Sequence, residues 1–209
     1  MTKLFKDVLS NAELSTLSSI VHIGDATYRE LMENQRPMFG HPYFSDTRGR
    51  IRTKLVQIQC EIESHDSNFP FNFYQREFSY KQRIPELRTK NIIIHIGRSL
   101  APNRLTYRSK YKIDLSYNNE QLRRQQIIDF DKTPPFGEEP FYGILVFGGH
   151  EHTFSVLQFP EPGYKSIADS ILIPQIIALP KSEEAETFER KKALLKKEFF
   201  AHESKEAKS

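Results

Sequence analysis

Apolar residues recur at near-helical spacing early in the chain, at Leu9, Leu14, Leu17 and Ile20, and predict helix over residues 7–35. Gly24 followed by Asp25, a good N-cap, divides that stretch into two helices. The second carries Tyr28, Leu31 and Met32 on its inner face. Pro37, Gly40 and Pro42 then end regular structure. From residue 51 the period changes to two. Val56, Ile58, Cys60 and Ile62 alternate with Gln57, Gln59, Glu61 and Glu63, the signature of a half-buried strand. Ile51, Leu55, Ile58 and Ile62 also suit a helix, but the β-branched content and the unbroken alternation favour a strand over 51–62.

Phe69 to Lys81 is aromatic-rich and reads as a further strand. Residues 91–98 contain Ile92, Ile93, Ile94 and Ile96, apolar on both faces as in the middle of a sheet. Over 110–117, Tyr111, Ile113, Leu115 and Tyr117 alternate with Lys110, Lys112, Asp114 and Ser116, which again predicts a strand. Asn118 or Asn119 caps a short helix to about Ile128. Phe141–Phe147 and Thr153–Phe159 flank Gly148-Gly149 and form the clearest hairpin in the chain. Ser166–Leu179 reads as either a helix or a buried strand. From Ser182 an amphipathic helix runs with acids first and bases later, in the sense that favours the helix dipole.

The expected fold is α+β: a mostly antiparallel sheet of about six strands, N-terminal helices and a C-terminal amphipathic helix. Residues 1–180 are expected to form a single domain, helical over 1–46 and β-rich over 47–180. Residues 181–209 form the charged helix and a frayed tail. With 209 residues the chain is long enough to bury a sizeable core.

Net charge is only +3, but its distribution is uneven. Residues 47–124 hold 16 Lys and Arg against 7 Asp and Glu, between two mildly acidic flanks. Cys60 is the only cysteine, so no internal disulfide forms and a reducing compartment is favoured. The start has no apolar run of the signal-peptide kind, and no stretch is long enough to span a bilayer. These features place the chain in the cytoplasm, away from membranes.

The basic block carries the main functional expectation. On a strand, Arg48, Arg50 and Arg52 would project from one face. Lys110 and Lys112 extend the series, and Tyr74 and Tyr80 are interleaved aromatics. Cations neutralise phosphate and aromatic faces stack on unpaired bases, so the combination suits nucleic acid. An acidic protein is the alternative partner, and a solvated sheet face over core aromatics is the plain structural reading.

His95, inside Ile94-His95-Ile96, is a candidate general acid or base with Tyr80, Arg98 or Lys112 beside it, as in metal-independent ribonucleases. A core histidine satisfied by a hydrogen bond is its structural alternative. His150 and His152 are weak metal candidates, because no third ligand stands at a telling spacing. No Walker loop, dinucleotide glycine motif, nucleophile elbow or Cys-x-x-Cys pair is present, and no cofactor is expected. The leading expectation is a non-enzymatic binding protein. The alternatives are a nuclease using His95 and a partner protein docking through the C-terminal helix.

Overall fold

The computed structural model describes residues 8–78, 82–120, 139–149, 153–174 and 182–206, with the side chains of 186–200 in the last segment. The order is α1 (Asn11–Asn34), α2 (Arg36–Phe39), a 3-10 turn at Pro42–Phe44, α3 (Ser45–Glu63), β1 (Asn72–Glu77), β2 (Arg83–Arg88) and β3 (Ile92–Ser99). Then come α4 (Lys110–Ser116), a 3-10 turn at Tyr117–Glu120, β4 (Phe141–Gly148), β5 (Phe154–Pro160), β6 (Ile167–Leu172) and α5 (Ser182–Glu206). The class is α+β, with a mostly antiparallel six-stranded sheet. The chain divides into two compact units. One comprises Met1–Ser15 with Pro70–Pro174, the other Thr16–Phe69 with Gln175–Ser209.

The sheet unit has strand order β1-β2-β3-β4-β5-β6. Neighbouring strands pair antiparallel except β3 and β4, which are parallel from Ile92–Phe141 to Ser99–Gly148. That pair departs from the antiparallel expectation, because a parallel pair needs a long crossover and the segment containing α4 supplies it. β4 is buried along its whole length, as its continuous apolar run requires. On one face, Ile93, Tyr142, Ile144, Val146 and Tyr164 form a core, with Leu105, Ile113 and Leu115 packed against it. Asn119 ties this unit together. Its Nδ2 donates to the carbonyls of Tyr142 (2.9 Å) and Pro160 (2.8 Å), and its Oδ1 accepts from the Tyr142 amide (2.8 Å).

Two expected strands are helices. Residues 51–62 lie in α3, where Ile51, Arg52, Leu55, Val56, Gln59, Cys60 and Glu63 are buried at helical spacing. The alternation of Val56, Ile58, Cys60 and Ile62 was coincidental, because the buried stripe includes the polar Gln59 and Glu63. These bond each other at 2.9 Å, and Lys191 neutralises Glu63 at 2.7 Å. Residues 110–116 form α4, although Ile113 and Leu115 both still reach the core. The six strands are completed by β2, which the sequence reading missed, and by β6, which makes Ile167–Leu172 of the ambiguous 166–179 segment a strand, while 175–179 lie outside the described residues. Tyr117–Glu120 form a 3-10 turn, and the rest of the short helix expected to run to Ile128 lies outside the described residues.

In the helical unit, α1 is one helix rather than two. It runs through Gly24 because a Cβ there would lie 2.8 Å from Val56 Cα and Cγ2, so the glycine admits α3 at close range. Asp25 is therefore no N-cap; it is buried and ion-paired to Arg52. Ile23, Leu31, Phe39, Ile51, Leu55, Leu195 and Phe199 form the core. The apolar stripe of α5 is thus packed within its own unit, and its bases bind locally, Lys192 and Lys196 to Glu30. Among the described residues no helix is long and apolar enough to cross a membrane.

Candidate functional site

Side-chain alternation along β3 puts Ile93, His95 and Gly97 on one face of the sheet. The register aligns Glu86 of β2 with His95, and Tyr74 of β1 with Glu86. Tyr142 of β4 stands beside Ile93. This face therefore collects a polar group from each of four neighbouring strands. His95 Nε2 is 2.7 Å from Glu86 Oε2 and its Nδ1 is 3.0 Å from the Tyr142 hydroxyl. Arg88 binds Glu86 Oε1 at 2.5–2.7 Å, and Arg76 approaches Oε2 at 3.3 Å. The Arg88 guanidinium also covers the Tyr74 ring, 5.1 Å from its centroid.

The protonation states follow from these contacts. Burial raises the Glu86 carboxyl, but the hydrogen bonds from His95 and Arg88 outweigh it and hold the group at about 2. Burial pushes the His95 imidazole below its usual value, more than Glu86 pulls it up. A neutral imidazole beside a carboxylate carries its proton on Nε2 and donates it to Glu86. Nδ1 then accepts from Tyr142, whose phenol burial holds well above its ordinary range. Both ring nitrogens are occupied, and His95 is only 1% exposed. As built, His95 holds Glu86 and Tyr142 in place and presents no free nitrogen to a substrate.

A second polar group lies where the crossover packs on this face. Gly97 permits it, since a Cβ there would sit 2.8 Å from Thr106 Cγ2. Lys112 of α4 turns back, its Nζ donating to Thr106 Oγ1 (2.8 Å) and the Tyr107 carbonyl (2.9 Å). Thr106 Oγ1 is 2.8 Å from the Tyr164 hydroxyl, and Lys112 Nζ stands 5.9 Å from the centre of the Tyr164 ring. Tyr164 has φ 56°, the left-handed region that side chains of its size rarely enter, and follows Gly163 at φ 81°. That turn is latched to the crossover by Ser116 Oγ, which accepts from the Gly163 amide at 2.9 Å, and by Arg108, which donates to the Gly163 carbonyl at 3.2 Å. Burial lowers Lys112 to about 8 and raises Tyr164 to about 12. A cleft of about 630 Å³ opens beside Lys112, walled by Phe78, Ile84, Tyr107, Lys110 and Tyr111. Tyr111 also meets the His95 ring edge-on, 5.2 Å between centroids, so the two polar groups adjoin.

The residues expected to form one basic β face are divided. Arg48, Arg50 and Arg52 lie on α3 of the helical unit, where residues two apart do not share a side. Arg50 is exposed and Arg48 half-buried, whereas Arg52 is buried against Asp25. Tyr74, Lys110 and Lys112 belong to the sheet unit, with Tyr74 and Lys110 exposed. Tyr80, His150 and His152 lie outside the described residues. Among the described residues no group of three His, Cys, Asp or Glu side chains stands ready to hold a metal. Sequence reasoning missed Glu86, Thr106, Tyr142 and Tyr164. Glu86 alone left a trace, as a lone acid between the apolar Ile84 and Leu87.

The end of β3 and the first part of the crossover are one-sided in charge. Residues 98–112 hold Arg98, Arg104, Arg108, Lys110 and Lys112 and no Asp or Glu. Among the described residues none of these five cations forms an ion pair with a carboxylate. By contrast, Arg52, Arg76, Arg83 and Arg88 each do. Tyr107, in the middle of the segment, is 90% exposed. The chain matches no protein-family description, no curated protein and no solved structure.

Proposed function

We propose that this chain is a nucleic-acid-binding protein that lays a single strand along the crossover of its sheet unit. Arg98, Arg104, Arg108 and Lys110 contact phosphates, Lys112 adds its charge at the cleft, and Tyr107 stacks on a base. The observation that carries the reading is the run of five cations without an acid or a carboxylate partner among the described residues, surrounding an exposed ring. Exposed, unpaired cations are the groups that release counterions on meeting phosphate, and exposed tyrosine offers a stacking face that tolerates any base. The arginines of α3 are not part of this surface, since Arg52 is committed to Asp25. A nuclease at His95 gains no support from its geometry, because the imidazole has no nitrogen left to offer.

The test is fluorescence anisotropy with a labelled single-stranded oligonucleotide at 50 and 200 mM NaCl. Four phosphate contacts weaken binding by roughly fiftyfold between those salts. The triple change Arg104→Glu, Arg108→Glu, Lys110→Glu abolishes binding, while Arg50→Glu leaves it intact. Salt-independent affinity, or equal loss with Arg50→Glu, overturns the reading. Binding of an acidic peptide in preference to the oligonucleotide would assign the same cations to a protein partner.

A further inference from the structure

We propose that Lys112 is a reactive amine that condenses with the carbonyl of an aromatic aldehyde bound in the adjoining cleft, forming an imine. The inference shares Lys112 and Tyr107 with the proposed nucleic-acid surface but does not rest on that reading. It rests on how the amine is held and on what surrounds it.

A lysine serves as a nucleophile when three conditions are met: the amine is desolvated, no carboxylate holds its proton, and a space for the electrophile lies against it. Lys112 meets all three. Its Nζ is fixed by two neutral oxygens, Thr106 Oγ1 and the Tyr107 carbonyl, and by the ring of Tyr164. The ionisable groups around it are Tyr164 from the turn after β5, His95 from β3, and Tyr111, Lys110 and Asp114 from α4. Asp114 is the one carboxylate among them, and it is exposed and forms no ion pair with Lys112. Glu86, the nearest acid on the sheet face, is already bound by His95, Arg88 and Arg76. Burial without a counter-charge accordingly lowers the ammonium to about 8. The neutral amine is then on the order of a hundredfold more abundant near pH 7.5 than for an ordinary lysine.

The cleft supplies the ligand class. Phe78, Tyr111 and Tyr107 are flat walls suited to a ring, and Lys112 lies on the same lining. Condensation proceeds by attack of the Nζ lone pair on the carbonyl carbon, with the carbonyl π pair moving to oxygen. The carbinolamine then expels that oxygen as water, whose two hydrogens come from the amine. The Thr106 hydroxyl contacts Nζ directly and the Tyr164 hydroxyl at 2.8 Å, so the two form a path for these protons. Tyr164 is held protonated by burial, at about 12, so its hydroxyl has a proton to pass on through Thr106. The left-handed backbone that points this ring beneath Lys112 is the kind of local strain found where a side chain must be aimed.

The experiment uses the full chain with benzaldehyde, a neutral probe that the cation surface does not attract. Imines are trapped with cyanoborohydride and each lysine is quantified by peptide mass mapping. Lys112 is expected to be modified at least about tenfold faster than Lys110, Lys90 or Lys165 at pH 7.5, with a rate that levels off above pH 8. Thr106→Val slows the reaction at Lys112 without changing that at Lys110. Lys112→Arg removes the fast phase, with circular dichroism reporting that the fold is kept. Modification of Lys112 no faster than of Lys110, or a rate still climbing through pH 9.5, overturns the proposal. So does a fast phase that survives Lys112→Arg. A chain that fails to bind an oligonucleotide yet labels at Lys112 retires only the nucleic-acid reading.

Discussion

Glu86 faces His95 across the β2–β3 register, with 2.7 Å between its Oε2 and the imidazole Nε2. Neither side chain reaches solvent, and Arg88 and Arg76 complete the charge balance around the carboxylate. Replacing Glu86 with Gln keeps the shape but leaves two arginines without their counter-charge. The expected loss is about 3 kcal/mol of unfolding free energy, measured by urea titration at pH 7. A loss below about 0.5 kcal/mol would show that the cluster is solvated and loose.

The same pair sets the response to acid. His95 and Glu86 both titrate lower in the folded chain than in the unfolded one, so the unfolded chain binds more protons as pH falls. The His95 contribution is complete above its usual value of 6.5 and declines as pH drops toward its folded value. The Glu86 contribution is complete above 4.5 and declines as pH drops toward about 2. Melting temperature is expected to fall steadily from pH 7 to pH 4. His95→Gln, which keeps a donor for Glu86, flattens the upper part of that slope. A parallel profile for this variant would assign the acid sensitivity elsewhere.

Arg52 and Arg50 are two residues apart and have opposite expectations. Arg52 is 9% exposed, ion-paired to Asp25, and its guanidinium stands 5.6 Å from the Tyr28 ring centre. Arg52→Ala leaves Asp25 buried with Arg29 as its remaining ion-pair partner among the described residues, and costs about 3 kcal/mol by chemical denaturation. Arg50→Ala, at an exposed position, stays within about 0.5 kcal/mol.

Gly24→Ala separates helix propensity from packing. In a free helix this change stabilises by up to about 1 kcal/mol. Here the added methyl meets the Val56 backbone, so the expected outcome is a loss of about 1–3 kcal/mol. A stabilised variant would mean that α1 and α3 separate easily at this point.

The fold class was legible where burial is simple. β3 and the β4–β5 hairpin are apolar on both faces, and a run of that kind admits little else. α3 was misread because its buried stripe includes Gln59, bonded to Glu63 within the helix, and Arg52 and Glu63, whose charged partners Asp25 and Lys191 lie elsewhere in the chain. Local hydrophobicity does not register such partners. β2 was missed because Pro85 and Glu86 at its buried centre and the flanking Arg83 and Arg88 disguise the strand. His95 and Lys112 were visible as chemistry-bearing residues in a β-rich region. Glu86, Tyr142 and Tyr164 reach them only through strand register and a left-handed turn, which are properties of the assembled sheet. Charge followed the same rule: counting cations was straightforward, but their carboxylate partners depended on tertiary structure.

The lone parallel pairing in the sheet also has a kinetic consequence. β1–β2–β3 and β4–β5–β6 are two meanders, each built from neighbours in sequence, and among the described residues the β3–β4 seam is the only strand pairing that joins them. Either meander can assemble through short turns. The seam must wait until Ile92 and Phe141, far apart in sequence, are brought together, an entropy loss that strand contacts offset only once they are in register. Refolding should therefore be limited by this closure. Truncating Ile94 or Leu145 at the seam, or Val156 within the β4–β5 hairpin that forms before it, is expected to slow folding more than it speeds unfolding.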